Sequence, residues 1–183
     1  MTDPFLIGRD KEVALLDNAW ENPNINIINL IAFGGIGKTA LLDWWRIHHM
    51  QPNGWRGAQR VFAWSFYNQG IGEGEQASAD LFIGEALRWF GDPEMAESAR
   101  SPWEKGLHLA KLVRKQRTLL LLDGLEPLQE PIGLSFKEEG RLKDPAVRGL
   151  LSTLASGNRD YVSLLHGLEL KILKHLREVL SAQ

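Results

Sequence analysis

AFGGIGKTALL, residues 32–42, is the stretch that decides the fold of this chain. The apolar run INIINLIAF at 25–33 precedes it and predicts a strand, because it is rich in β-branched residues. The run ALLDWWRIHHM follows it, and its apolar spacing predicts a helix over 38–50. The sequence therefore predicts a strand, a glycine loop and a helix in immediate succession.

The loop between these two elements has the composition of a phosphate cradle. Its glycines allow backbone N–H groups to point inward, and the helix after it presents its positive end. Lys38 is placed to pair with terminal phosphates, and the Thr39 hydroxyl is placed to ligate magnesium. One position departs from the usual pattern, since Ala32 stands where such loops usually carry glycine. The alternative interpretation of the loop is a glycine-rich turn that binds no ligand. The candidate positions are Gly34, Gly35, Ile36, Gly37, Lys38, Thr39 and Ala40.

A second motif, TLLLLD at 118–123, reads as a strand buried on both faces that ends in a carboxylate. Asp123 is then expected at the end of the sheet, where it could hold magnesium beside Thr39. Three residues later, Glu126 is a candidate general base for an attacking water. The alternatives are an acid that caps a turn for Asp123 and a solvated loop carboxylate for Glu126.

The rest of the chain alternates predicted helices and strands, which indicates an α/β fold with a short, mostly parallel sheet. Helices are predicted at 9–20, 77–91, 101–116 and 145–156, and a further strand at 60–66. Beyond a polar connection at 127–144, residues 161–183 read as a closing amphipathic helix. No clear fourth strand follows the third, although DYVSLL at 160–165 could supply a short one. The later strands of the sheet are therefore expected to be few or absent.

Composition narrows the function classes. The chain has 183 residues, no cysteine and a formal net charge of −2, which excludes thiolate chemistry and gives no positive field for nucleic acid. No stretch has the length and apolar content of a membrane span, and the first ten residues, MTDPFLIGRD, lack the basic segment and long apolar run typical of a leader. These features predict a cytoplasmic protein that engages neither nucleic acid nor membrane.

Other candidate sites are weaker. Three spaced glycines, Gly70, Gly72 and Gly74, resemble a second phosphate loop but have no basic neighbour, so they are interpreted as a flexible connection. His48 and His49 fall at a predicted helix end, where a cation suits the helix dipole, and a metal role is not expected.

Three segments in order resemble the nucleotide-binding domain of signal-transducing ATPases (STAND class), which contains the NACHT and NB-ARC families. FLIGRDKEVALL is similar to the entry motif, AFGGIGKTALL to the Walker A loop, and LLLLDGLEPL to the NACHT form of Walker B, with Pro127 where a second acid often follows. The resemblance spans about residues 5–156; it leaves 157–183 as a carboxy-terminal helix that does not match the family. It implies a three-layer α/β/α P-loop NTPase fold related to AAA-like ATPases.

The resemblance also implies ligands and roles. It implies ATP or ADP with Mg²⁺, contacts of Ile7, Gly8 and Arg9 with the base and sugar, and a switch between a closed ADP form and an open ATP form that self-associates. The family continues with a sensor strand and a helical bundle, and Arg159 does not match that sensor. We therefore expect a truncated or binding-only relative with slow or absent ATP hydrolysis.

Two other function classes remain open at this point. One is a nucleotide-independent interaction protein that uses an exposed sheet edge or the carboxy-terminal helix to contact a partner or a second copy. The other is a small P-loop kinase, for which Arg141 is a faint lid candidate. A GTPase is disfavoured because Asn158-Arg159-Asp160 lacks the spacing of an Asn-Lys-x-Asp base reader.

Overall fold

The computed structural model describes residues 8–31, 35–66, 79–129 and 142–156, together with the backbone of 161–166. Within these ranges helices and strands alternate, as the sequence predicts. In chain order the regular elements are α1 (Asp10–Glu21), β1 (Ile27–Leu30), α2 (Lys38–Trp45), β2 (Arg60–Ser65), α3 (Asp80–Trp89), α4 (Pro93–Glu97), α5 (Pro102–Val113), β3 (Thr118–Asp123), α6 (Pro145–Ala155) and β4 (Tyr161–His166).

The strands form one parallel sheet in the order β1-β4-β3-β2. In the β2–β3 register Ser65 lies opposite Asp123, so both strands end at the same edge. β1 and β3 are separated by β4, which places them about 10 Å apart. The carboxyl ends of all four strands therefore point to one end of the sheet, where the loop before α2 begins.

Helices cover both faces of the sheet, because successive residues of a strand point to opposite sides. Leu119 and Leu121 pack in a core with α1 and α2, whereas Leu120 and Leu122 pack in a core with α3, α5 and α6. All four leucines are buried, as expected for a parallel strand enclosed on both faces. The chain is thus an α/β structure of three layers.

The helix boundaries follow from local signals. α5 begins with a capping box in which Ser101 and Glu104 satisfy each other's backbone N–H groups. Asp144 caps α6 by accepting from the N–H groups of Ala146 and Val147. The predicted helix at 38–50 continues from α2 as one π-helical turn, Arg46–Met50. The short helix α4 was not predicted, because a five-residue segment is too short to show a helical period.

The predicted carboxy-terminal helix is wrong over its first part. Residues Tyr161–His166 form β4, which pairs with β1 on one side and with β3 on the other. A short apolar run is equally compatible with a strand and a helix. Here the backbone of the run pairs with β1 and with β3, and these two partners favour the strand. The chain therefore has the fourth strand that the sequence left in doubt. β4 lies between β1 and β3, inside the sheet, although its residues follow position 156. Residues 167–183, the rest of that predicted helix, lie outside the described residues.

The tryptophans on α2, β2 and α3 differ in how deeply they are buried. Trp45 is fully buried, but Trp44 and Trp64 are only half-buried and Trp89 is exposed on α3. None of the described helices combines the length and apolar character needed to cross a bilayer.

Candidate functional site

The glycine loop turns sharply into α2. Gly35 and Gly37 have φ angles of 75° and 89°, which are left-handed values that other residues adopt at a cost. Gly37 is the residue before the helix, and its carbonyl accepts the N–H of Leu41. The first turn of α2 contains no acidic residue, so its positive end is not neutralised from within the helix. This is the geometry in which a helix start attracts an anion.

Lys38 is the first residue of α2, and only 9% of its surface is exposed. A lysine this withdrawn from solvent is uncommon, because removing an ammonium group from water is costly. Its phosphate-pairing role remains a prediction. Ile36 and Ala40 are exposed on either side of it, and Gly34 lies outside the described residues.

Thr39 and Asp123 meet, as the sequence predicts, although they are 84 residues apart. The Thr39 hydroxyl lies 3.2 Å from both Oδ1 and Oδ2 of Asp123 and donates to that carboxylate. Adjacent oxygen ligands of an octahedral Mg²⁺ ion are about 3 Å apart, since each lies about 2.1 Å from the metal. The 3.2 Å separation is therefore compatible with both oxygens as ligands of one magnesium ion.

A cavity of ≈ 320 Å³ opens beside this pair, between α2 and the ends of β2 and β3. Its polar walls are Thr39, Asp43, Ser65 and Asp123. Sequence reasoning missed Asp43 and Ser65. The signal for Asp43 was its spacing, since it lies one helical turn after Thr39 and so on the same face of α2. The signal for Ser65 was strand order, since it ends the strand next to β3. Asp43 is also paired with Arg46 at 3.2 Å.

A larger cavity of ≈ 430 Å³ lies elsewhere, among α3, α4 and α5. Its walls include Arg88, Arg100 and Lys105, and each of these groups already has a partner: Arg88 pairs with Glu85 and Glu97, Arg100 with Glu104, and Lys105 with the carbonyl of Ala96. None of its lining residues belongs to the glycine loop or to the pair of Thr39 and Asp123. The candidate site is therefore the smaller cavity and the loop next to it.

Arg9, just before α1, reaches the glycine loop. Its Nη2 donates to the carbonyl of Ile36 at 2.9 Å, and its Nη1 pairs with Glu12 at 2.7 Å. Gly8 next to it has a φ of 75°, and Ile7 lies outside the described residues. The entry segment is thus joined to the loop through Arg9, and its predicted contact with a base and sugar remains a prediction.

Glu126, the predicted general base, begins a short 3₁₀ turn, Glu126–Leu128, shortly after β3 ends at Asp123. Its side chain is exposed, and it is not among the described residues that line the cavity beside Thr39. A base must come within hydrogen-bond reach of the attacking water, directly or through one further water. The structure therefore brings Thr39 and Asp123 together without placing Glu126 with them.

The two histidines after α2 have structural contacts. His49 Nδ1 lies 2.8 Å from Asp17, and His48 Nδ1 lies 2.9 Å from the carbonyl of Trp44. Over the part of the chain that the structure describes, no group of three or more His, Cys, Asp or Glu residues is suited to hold a metal ion. A magnesium ion at Thr39 and Asp123 would take its other ligands from phosphate and water, as this ion commonly does.

No model of a known protein family matches the chain, and no curated protein matches it at a significant level. The arrangement of the glycine loop, Lys38, Thr39 and Asp123 is accordingly interpreted on its own geometry.

Proposed function

We propose that the chain is an ATP- or ADP-binding module of a signal-transducing P-loop ATPase and that it binds the nucleotide with Mg²⁺. The observation that carries this proposal is the 3.2 Å contact between Thr39 and Asp123 directly beside the glycine loop. The strand that ends in the glycine loop and the strand that ends in Asp123 both finish at the same edge of a parallel sheet. Ligands of open α/β sheets bind at that edge.

Each residue of the site would have a distinct task. The N–H groups of the loop and the start of α2 would bind the phosphates, and Lys38 would pair with the terminal ones. Thr39 and Asp123 would hold the magnesium ion, which when bound neutralises charge on the phosphates. The cavity beside them, with Ser65 and Asp43 in its wall, has room for the waters that complete the metal shell.

We propose that hydrolysis is slow or absent. None of the described residues that line the cavity is an arginine, and an arginine at the transition state is worth about 10³ to 10⁵ in rate in related reactions. Glu126, the candidate base, does not line it. The resemblance to switch ATPases supports a role in which bound nucleotide shifts the population of two conformations instead of being turned over quickly.

Calorimetric titration with ATP, ADP and GTP, each with and without magnesium, tests the proposal. We expect ATP and ADP to bind, with a gain in affinity from magnesium, and GTP to bind more weakly. A chain shown to be folded by circular dichroism that binds none of them contradicts the proposal. Transfer of phosphate from ATP to a small acceptor would instead favour the kinase alternative.

A further inference from the structure

The contact between Arg9 and the glycine loop has a specific geometry. The guanidinium group makes two contacts, one with the Ile36 carbonyl 27 residues away and one with the Glu12 carboxylate on α1. The hydrogen bond from Arg9 is the main cause that holds the pKa of Glu12 below its ordinary value, which agrees with the close contact between the two groups. Arg9 is thereby fixed on two sides.

The Ile36 carbonyl is the part of the loop that this contact controls. The Ile36 side chain is 46% exposed, so apolar packing does little to hold the loop in place. Gly35 and Gly37 on either side are the most flexible residue type, and ordering them costs more entropy than ordering any other residue. A hydrogen bond to the residue between them reduces the freedom that a ligand would otherwise have to remove.

Fixing this carbonyl also fixes the N–H group of the next residue. In a trans peptide the C=O of Ile36 and the N–H of Gly37 point in opposite directions, and the chain contains no cis peptide bond among the described residues. When the carbonyl points at Arg9, the Gly37 N–H points away from it. That direction is the one a loop N–H needs if the phosphate chain lies on the face of the loop opposite Arg9.

Arg9 is itself anchored to the rigid part of the fold. Its carbonyl accepts the N–H of Val13 in the first turn of α1, and Val13 and Leu16 are buried against α2. Farther along α1, Asp17 accepts from Trp45 Nε1 at the end of α2 at 2.9 Å. The segment from Arg9 through α1 therefore contacts both the glycine loop, through Arg9, and the end of α2, through Asp17.

We propose that Arg9 is a positioning residue that orients the Ile36–Gly37 peptide toward the phosphates, so that it governs phosphate affinity instead of reading the base and sugar. This inference rests on the proposed nucleotide-binding function. It differs from the role that family resemblance implies for the same residue. A base reader would act only on ligands that carry a base, whereas a loop-positioning residue acts on any polyphosphate.

Inorganic tripolyphosphate and ATP, titrated at equal free magnesium, separate the two roles. We expect Arg9→Ala to weaken both ligands by the same factor, roughly 3- to 10-fold for one hydrogen bond. The matched control is Arg100→Ala, which removes an exposed arginine that pairs with Glu104 on α5 away from the loop, and it should leave both affinities unchanged. A loss for ATP with unchanged tripolyphosphate binding overturns the proposal in favour of base reading.

Two further variants distinguish positioning from simple attraction between charges. Arg9→Lys keeps the charge but replaces the planar fork with a point donor, so we expect most of the loss to remain. Glu12→Gln removes a negative charge that repels a polyphosphate, so a purely electrostatic effect would tighten polyphosphate binding. If Glu12 instead acts by holding Arg9 in place, the variant should bind polyphosphate more weakly. Full affinity in Arg9→Lys together with tighter binding in Glu12→Gln overturns the proposal. A wild-type chain that binds neither ligand overturns the nucleotide-binding function itself, and the Arg9 role with it.

Discussion

The two ends of the parallel sheet are built in opposite ways. At the carboxyl end, glycines with left-handed φ values lead into α2, whose first turn contains no acidic residue. A cavity opens there beside Thr39 and Asp123. At the amino end, polar and aromatic side chains close on one another in a network that we call the amino-end clamp. Its members are Asp17, Trp20, Trp45, His49, Arg56 and Arg117.

Contacts within the amino-end clamp leave few groups for a ligand. Asp17 accepts from Trp45, His49 and Arg56, and Arg56 also pairs with Glu21. Arg117 lies 4.5 Å above the Trp20 ring and donates to the Trp20 carbonyl at 3.1 Å. These contacts hold Arg56 in a left-handed conformation with a φ of 46°, which a non-glycine residue rarely adopts. The comparison teaches that internal contacts close one end of the sheet, whereas the other end keeps an open cavity, which is where we propose that the nucleotide binds.

Removing the lysine of the loop should give the largest effect on binding. Lys38→Ala deletes the charge-assisted contacts with the terminal phosphates, each worth roughly 1.5 to 3 kcal/mol, so ATP affinity should fall about 10- to 150-fold. The fold should persist, because the substitution leaves both hydrophobic cores intact. Titration calorimetry and thermal unfolding together check this. Equal affinity in wild type and variant would contradict the binding role of the carboxyl end.

The converse change tests the amino end. Asp17→Asn replaces the shared acceptor of the clamp with a neutral amide, and we expect the free energy of unfolding to fall by about 1 to 3 kcal/mol. Nucleotide affinity should stay unchanged, since the contacts lie at the far end of α2. Urea denaturation gives the first quantity and calorimetry the second. Glu85→Gln, in an exposed pair with Arg88, is the control and should be nearly neutral.

A smaller effect is expected from Asp123→Ala. The variant should lose most of the magnesium-dependent gain in ATP affinity, roughly 10-fold, while binding without metal changes little. Glu126→Gln, at the same end but outside the cavity, should keep the full magnesium dependence. Titrations with and without magnesium measure both. If Asp123→Ala keeps the magnesium gain, Thr39 and Asp123 do not share an ion.

The smallest expected effect is a pH dependence of stability at the amino end. Burial alone would raise the pKa of Asp17, but hydrogen bonds from Trp45 and His49 and the charge of Arg56 outweigh it and hold the pKa below its ordinary value of 3.8. A pKa lowered by folding stabilises the fold above the unfolded pKa, and this contribution is lost as pH falls through the folded pKa. The stability difference between wild type and Asp17→Asn should therefore be larger at pH 7 than at pH 3. Urea denaturation at both pH values measures this difference in the free energy of unfolding. An equal difference at pH 7 and pH 3 would contradict the prediction.

Much of the carboxyl end could be predicted, because its chemistry is local. Three glycines before a lysine and a threonine mark a loop and helix start, and a leucine run that ends in Asp123 marks a buried strand. Since both strands end at the same edge, the approach of Thr39 to Asp123 also followed from strand direction alone. Asp43, Ser65 and the reach of Arg9 to Ile36 were not predicted, since each depends on how separate elements pack.

The sequence by itself determined the alternation of helices and strands, the burial of β3 on both faces and the residue types of the glycine loop. These properties depend on hydrophobic period and on backbone preference over a few residues. Only the tertiary structure decided that 161–166 is a strand between β1 and β3, and that α1 joins the loop through Arg9. The reason is physical: a short apolar run and a lone arginine suit several local structures, and only partners distant in the chain select one of them.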